Sequence, residues 1–251
     1  MQTDPKDHRE RTINRIYGHG ARFKAIEDTK DTLIYIHIGK CGGTSLWRAI
    51  KKSEPVQRDF RNLHKLHICK PPVLKNARYL VVVREPVSRA LSAFNWRYKL
   101  VVEESGQEER FEGEHNILAK YATMDNLAMA LYSDTGVLNV DVARDFRTIH
   151  HLKEDIDYYL SDLLPKLTPR QIYLVMATET LDADIAANLG VSQVQRVHVN
   201  RDQVKPALLT LSDKARANLR RFLEKDYQAI QSLLTLSARA GKRGTLPFDI
   251  S

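Results

Sequence analysis

Residues 32–38 (TLIYIHI) form a nearly unbroken run of β-branched and aromatic side chains, the pattern of a strand buried on both faces. Two more such runs follow, RYLVVV at 78–83 and IYLVMAT at 172–178. Helical spacing appears between and after them. SLWRAIKK puts Leu46, Trp47 and Ile50 on one face, and 87–100 reads as a helix with Pro86 in its first turn. Residues 116–133 and 152–163 are further candidates, and 179–190 is a helix closed by Gly190. Residues 211–236 predict one long amphipathic helix, with Leu219, Phe222, Leu223, Tyr227, Ile230 and Leu234 on its apolar side.

Short buried strands alternating with helices predict an α/β fold, a single domain with a mainly parallel central sheet flanked by helices. The domain is expected over 31–240, preceded by a polar arm or helix at 1–30 and followed by a tail at 241–251. Residues 53–77, with Pro55, Pro71 and Pro72, read as irregular. Residues 103–114 carry six glutamates and read as a solvated loop, and VQRVHVN reads as a short extended run. At 251 residues the chain can bury a sufficient core without staples. Cys41 and Cys69 are expected as free thiols of a reducing compartment. No apolar run is long enough to span a bilayer, and the first residues lack the apolar stretch of a secretory signal.

Charge changes this picture in one place. Residues 40–100 hold 14 Lys and Arg against 3 Asp and Glu; the rest holds 25 against 28. Residues 40–100 are thus net +11 and the rest net −3, so the positive excess of the chain resides in one quarter of it, which predicts a local anion site. Two loops there follow predicted strands, where ligands of parallel sheets bind. Gly39-Lys40-Cys41-Gly42-Gly43-Thr44-Ser45 runs from strand into helix, so backbone N–H groups, a lysine and hydroxyls can cradle an anion. Lys40 precedes Gly42 and Gly43, unlike the nucleotide P-loop, where lysine follows the last glycine. The second loop, REPVSRALS, offers Arg84 and, two turns on, Ser92.

Together the two segments resemble a known family. HIGKCGGTSL is similar to the HxPKTGGTSL element that binds the 5′-phosphosulfate in sulfotransferases using 3′-phosphoadenosine 5′-phosphosulfate (PAPS). VVVREPVSRALSAF resembles the VxRDPxxRxxSxY element that holds the 3′-phosphate. The likeness is to bacterial and carbohydrate sulfotransferases, including the heparan sulfate 2-O type. It extends to IYLVMATETLDADIAANLGV, VHVNRD and LEKDYQAI, over about 32–236. It implies a P-loop-like fold, PAPS as sulfuryl donor and no metal. It assigns Lys40 to the leaving phosphate, and Cys41, Gly42, Gly43, Thr44 and Ser45 to the 5′-phosphate, Cys41 through its backbone N–H. Arg84 and Ser92 are assigned to the 3′-phosphate, and Arg201 is the candidate of the C-terminal loop. Arg89 is either a structural residue or a cofactor contact. Gly39, Cys41 and Glu85 stand where the family usually has Pro, Thr and Asp.

A hydroxyl acceptor needs a base, and the family's histidine falls between the phosphate motifs. His67 matches best, with His64 as the alternative. His37 is expected in the core, His115, His150 and His151 at the surface, and His198 in a strand. His64, His67 and Cys69 could ligate zinc but lack a fourth partner, so no metal is expected. The acceptor implied is a carbohydrate or glycolipid, and the setting a bacterial cytoplasm. A kinase with an atypical P-loop and a basic nucleic-acid-binding protein are the alternatives. The coincidence of the basic excess with the phosphate motifs disfavours the second.

Overall fold

The computed structural model describes residues 12–18, 26–192, 210–240 and 246–250. Five parallel strands make one sheet: β1 (Thr12–Tyr17), β2 (Thr32–Ile36), β3 (Asn62–His67), β4 (Arg78–Val83) and β5 (Ile172–Ala177), in the order β1-β3-β2-β4-β5. The predicted neighbours, β2 and β4, do pair, with Ile34 opposite Tyr79 and Tyr35 opposite Leu80. This order locates the site. After β2 the chain crosses to β3 on one side; after β4 it crosses to β5 on the other. The loops leaving these two adjacent strands diverge, and a crevice opens between their carboxyl ends.

The helices are α1 (Gly43–Lys52), α2 (Glu54–Asp59), α3 (Pro86–Tyr98), α4 (Glu114–Tyr121), α5 (Met124–Ala130), α6 (Val140–Thr148), α7 (Ile156–Leu160), α8 (Leu181–Leu189), α9 (Asp213–Phe222) and α10 (Glu224–Arg239). One core joins the sheet to α1, α7, α8 and α10 through residues such as Ile36, Leu46, Val81, Leu160, Ile185 and Ile230. A second core joins α3–α6 to α9 through Phe94, Leu118, Leu127, Phe146 and Leu219. Among the described residues no helix is long and apolar enough to cross a membrane.

Several elements differ from their expected form. The segment 53–77 is not irregular throughout. Ser53 caps α2 by accepting from the Val56 N–H, and NLHKLH forms β3 inside the sheet. Part of the expected N-terminal arm is the edge strand β1. The long C-terminal helix breaks at Leu223, and the helix at 116–133 breaks at Ala122, where φ is 60°. Gly190 does close α8, at φ 65°. In the expected tail, Leu246, Phe248 and Ile250 pack on the cores. Glu114 leaves the acidic loop to start α4 and is fully buried, Nη2 of buried Arg97 donating to its Oε2 at 2.6 Å. Its Oε1 accepts from the His150 N–H at 2.7 Å.

Removing one partner of such a pair strands the other charge. Glu114→Ala is expected to lower stability by about 3–5 kcal/mol, read as the shift of a urea unfolding midpoint; a change below 1 kcal/mol would contradict it.

Candidate active site

The β2–α1 loop is built around close approaches. A Cβ on Gly43 would fall 1.5 Å from Nε2 of His37, and one on Gly39 would fall 2.3 Å from Nδ1 of His151. Gly42 takes φ 73° and is the N-cap of α1, with no side chain capping the helix. The first turn of α1 carries no acidic residue, so its N–H groups and positive dipole end are offered to an anion. Thr44 is exposed on this turn and Ser45 is half-buried. Cys41 behaves differently. Its thiol is buried and held up at about 11 by desolvation, and its N–H donates to the Ile38 carbonyl at 3.2 Å. The backbone donor that the sequence assigned to phosphate closes the turn instead.

Two cations meet at the mouth of this loop. Lys40, at φ 69°, is largely buried with its ammonium 4.6 Å from the centre of the Trp96 ring. Arg84, at the end of β4, donates through Nη1 to the Lys40 carbonyl at 3.4 Å. Burial first, and then the Arg84 guanidinium, push the Lys40 ammonium down to about 8. Among the described residues neither cation forms an ion pair with a carboxylate. Two close positive charges with no paired carboxylate among the described residues form a site that an anion stabilises.

Helix α3 brings up a third wall. Glu85 caps it, accepting from the Val87 and Ser88 N–H groups, and the Tyr227 hydroxyl from α10 donates to Glu85. Arg89 and Trp96 both reach the loop, and Ser92 lies on the same stripe of the helix, three and four residues from them. Ser92 is half-buried. Arg89 is 1% exposed and spends its donors on three carbonyls: Nε on Gly39 at 3.1 Å, Nη2 on His151 and Glu154 at 2.6 Å each. These bonds tie the loop and the turn at 151–154 to α3.

Histidines form the opposite wall. His67 stacks on His37 with centroids 4.2 Å apart, and lies 5.5 Å from His151, which lies 4.0 Å from His150. A carbonyl only accepts, so the 2.9 Å contact to the His37 carbonyl fixes the proton of His67 on Nδ1. Nε2 keeps the lone pair. Burial dominates in holding His67 down at about 4, His150 at about 3, and His37 and His151 well below the imidazole range. His150 is therefore buried and His151 only partly exposed, rather than both lying at the surface: Glu114 and Arg89 draw their backbone inward. His37 sits just beyond β2, packed against the loop rather than in the core. His64 lies mid-strand in β3, fully buried and facing the opposite way from His67. That separation also keeps His64, His67 and Cys69 from converging on an ion. Among the described residues no group of three metal-ligating side chains is assembled.

The family model described as the Sulfotransferase family matches residues 24–236. The chain belongs to the sulfotransferase family. No curated protein and no solved structure matches it. The matched span contains both loops and the histidine wall, and the family supports sulfuryl transfer as the chemistry of the chain.

Within this sulfotransferase, Lys40, Gly42, Gly43, Thr44 and Ser45 form the passage from β2 into α1, Arg84 reaches it from the end of β4, Ser92 lies on α3 between Arg89 and Trp96, and His67 stands beside it. His64 is not brought to this place, and Arg201 and His198 lie outside the described residues. Two surface grooves along α10, of about 470 and 480 Å³, are lined by no residue of the loop, though Tyr227 lines one of them, so volume alone does not locate the site. Trp96, Tyr227 and His151 are the site residues the sequence did not reveal. The Asp-Tyr pair at 226–227, matched to the family, was the one signal available for Tyr227.

The histidine wall has a consequence for stability. Each of these imidazoles binds a proton near 6.5 in the unfolded chain and only at lower pH in the fold. Their contribution is complete above about pH 6.5 and is lost as pH falls toward 4. Urea midpoints measured from pH 7.5 to 4.5 should fall steadily, and His67→Gln should flatten the slope; a flat profile for the parent protein would contradict this.

Proposed function

We propose that this sulfotransferase moves the sulfuryl group of PAPS to a hydroxyl of a carbohydrate or glycolipid, with His67 as general base. The observation that carries this reading is the uncapped start of α1 lying against two cations and beside an imidazole whose tautomer leaves Nε2 open. PAPS supplies an activated sulfuryl group, whose S–O bond to the 5′-phosphate breaks as the acceptor oxygen bonds sulfur. The α1 N–H groups and the hydroxyls of Thr44 and Ser45 hold the 5′-phosphate. Arg84, with Ser92, holds the 3′-phosphate. Lys40 offsets the negative charge that grows on the leaving phosphate. His67 takes the acceptor proton on Nε2, and the Nδ1 bond to the His37 carbonyl keeps the ring oriented while it does so.

The carbohydrate or glycolipid acceptor rests on the motif likeness to carbohydrate sulfotransferases. A kinase reading is disfavoured by Lys40, which lies before the loop glycines and turns toward Trp96. The deciding test incubates the protein with labelled PAPS or labelled ATP and a panel of mono- and disaccharides and glycolipids. Sulfated product from PAPS alone supports the proposal; phosphorylated product, or no transfer from PAPS, overturns it.

Two variants probe the roles. His67→Gln should lower turnover about 10²–10⁴-fold and leave affinity for adenosine 3′,5′-bisphosphate within a few-fold; retained turnover would move the base elsewhere. Lys40 must be charged to act, so kcat/KM for the donor should decline as pH rises through about 8. In Lys40→Arg the guanidinium stays charged, and this alkaline decline should disappear even if the rate is lower. A decline at the same pH in the variant would assign it to another group.

A further inference from the structure

His151 stands in a turn that no secondary structure explains. Its φ is 69°, a conformation rare for a residue with a side chain. Two buried charged residues hold the turn there. Arg89 donates to the carbonyls of His151 and Glu154, and Glu114 accepts from the His150 N–H. The imidazole so placed lies against Gly39, immediately before Lys40, and 5.5 Å from the ring of His67. Among the described residues Nδ1 is enclosed without a partner, while the ring as a whole is partly exposed and Nε2 is not among the enclosed, unpartnered atoms. A buried N–H without an acceptor is rarer and costlier than a buried lone pair without a donor, so the enclosed Nδ1 keeps the lone pair and the proton sits on Nε2.

We propose that His151 is a second imidazole of the transfer site, donating a hydrogen bond from Nε2–H to the sulfuryl oxygens during transfer. This rests on the sulfuryl-transfer reading above. His151 neither gains nor loses a proton. The acceptor proton goes to His67, the S–O bond to the 5′-phosphate breaks, the bond to the acceptor oxygen forms, and the charge on the non-bridging oxygens is met by a fixed donor. A packing role would not need this residue. Glycine or asparagine adopts this φ more readily, and a carbon ring would fill the space against Gly39 without an unpartnered nitrogen.

The test uses the full chain, labelled PAPS and the acceptor chosen by the screen. His151→Asn tolerates the backbone conformation and removes the donor. It should lower kcat roughly 10²-fold, while calorimetry gives a Kd for adenosine 3′,5′-bisphosphate within twofold of the parent. His151→Gly should melt at a higher temperature than the parent, lose turnover as His151→Asn does, and regain part of it on addition of imidazole. A kcat within twofold of the parent in either variant overturns the proposal. So does a loss that appears wholly as weaker nucleotide binding, because His151 would then only shape the loop. A parent enzyme that transfers nothing from PAPS overturns the wider reading and this one with it. Active parent and unimpaired variants overturn this one alone.

Discussion

One buried guanidinium holds the site together. Arg89 is turned inward from α3, and its three hydrogen bonds end on backbone carbonyls from two segments far apart in sequence. The loop at Gly39 and the turn at His151–Glu154 are thereby fixed to one helix. Arginine suits this because its planar fork presents several donors at once and stays charged when enclosed. A lysine would offer fewer aligned donors and would tend to lose its proton. Asp226 lies fully buried near this guanidinium, and desolvation together with Asp155 holds its carboxyl up at about 7. Near neutral pH this carboxyl is therefore only partly ionised and offsets the guanidinium charge only in part.

From that anchor the rest of the geometry follows. The strand order sends the β2 and β4 loops apart and leaves the crevice between them. The loop glycines let rings and backbone meet at distances a Cβ would forbid. Lys40 and Arg84 meet at the opening, Arg84 donating to the Lys40 carbonyl. Their mutual repulsion is tolerated because the surrounding packing fixes both, the usual cost of a site prepared in advance for an anion.

The parts legible in the sequence are those whose physics is local. β2, β4 and β5 announce themselves as apolar runs, and Gly42, Gly43 and Lys40 as a turn into a helix. β3 does not, since Leu63 and Leu66 are three apart and a lysine and histidines fill the remaining positions. It is a strand because β1 and β2 lie on either side of it. The Sulfotransferase family was legible from two ordered motifs, but the cofactor, acceptor and base it implies remain proposals. His150 and His151 looked like surface residues beside charged neighbours. Their burial depends on Arg89, 62 residues away from the nearer carbonyl, and on Glu114, 36 residues away, contacts that periodicity does not encode. Cys41 shows the reverse: its place in the motif was plain, but its N–H is engaged by a turn only three residues long.

The bond from Tyr227 to Glu85 spans 142 residues. Glu85 in turn caps the helix that delivers Arg89, Ser92 and Trp96 to the loop. During synthesis from the N-terminus, both phosphate motifs emerge long before the hydroxyl that braces their helix. The nascent chain can pair β2 with β4 early, but the crevice acquires its final walls only when α10 docks. The last brace of this site thus depends on one of the longest-range contacts among the described residues, the kind of pairing that slows folding.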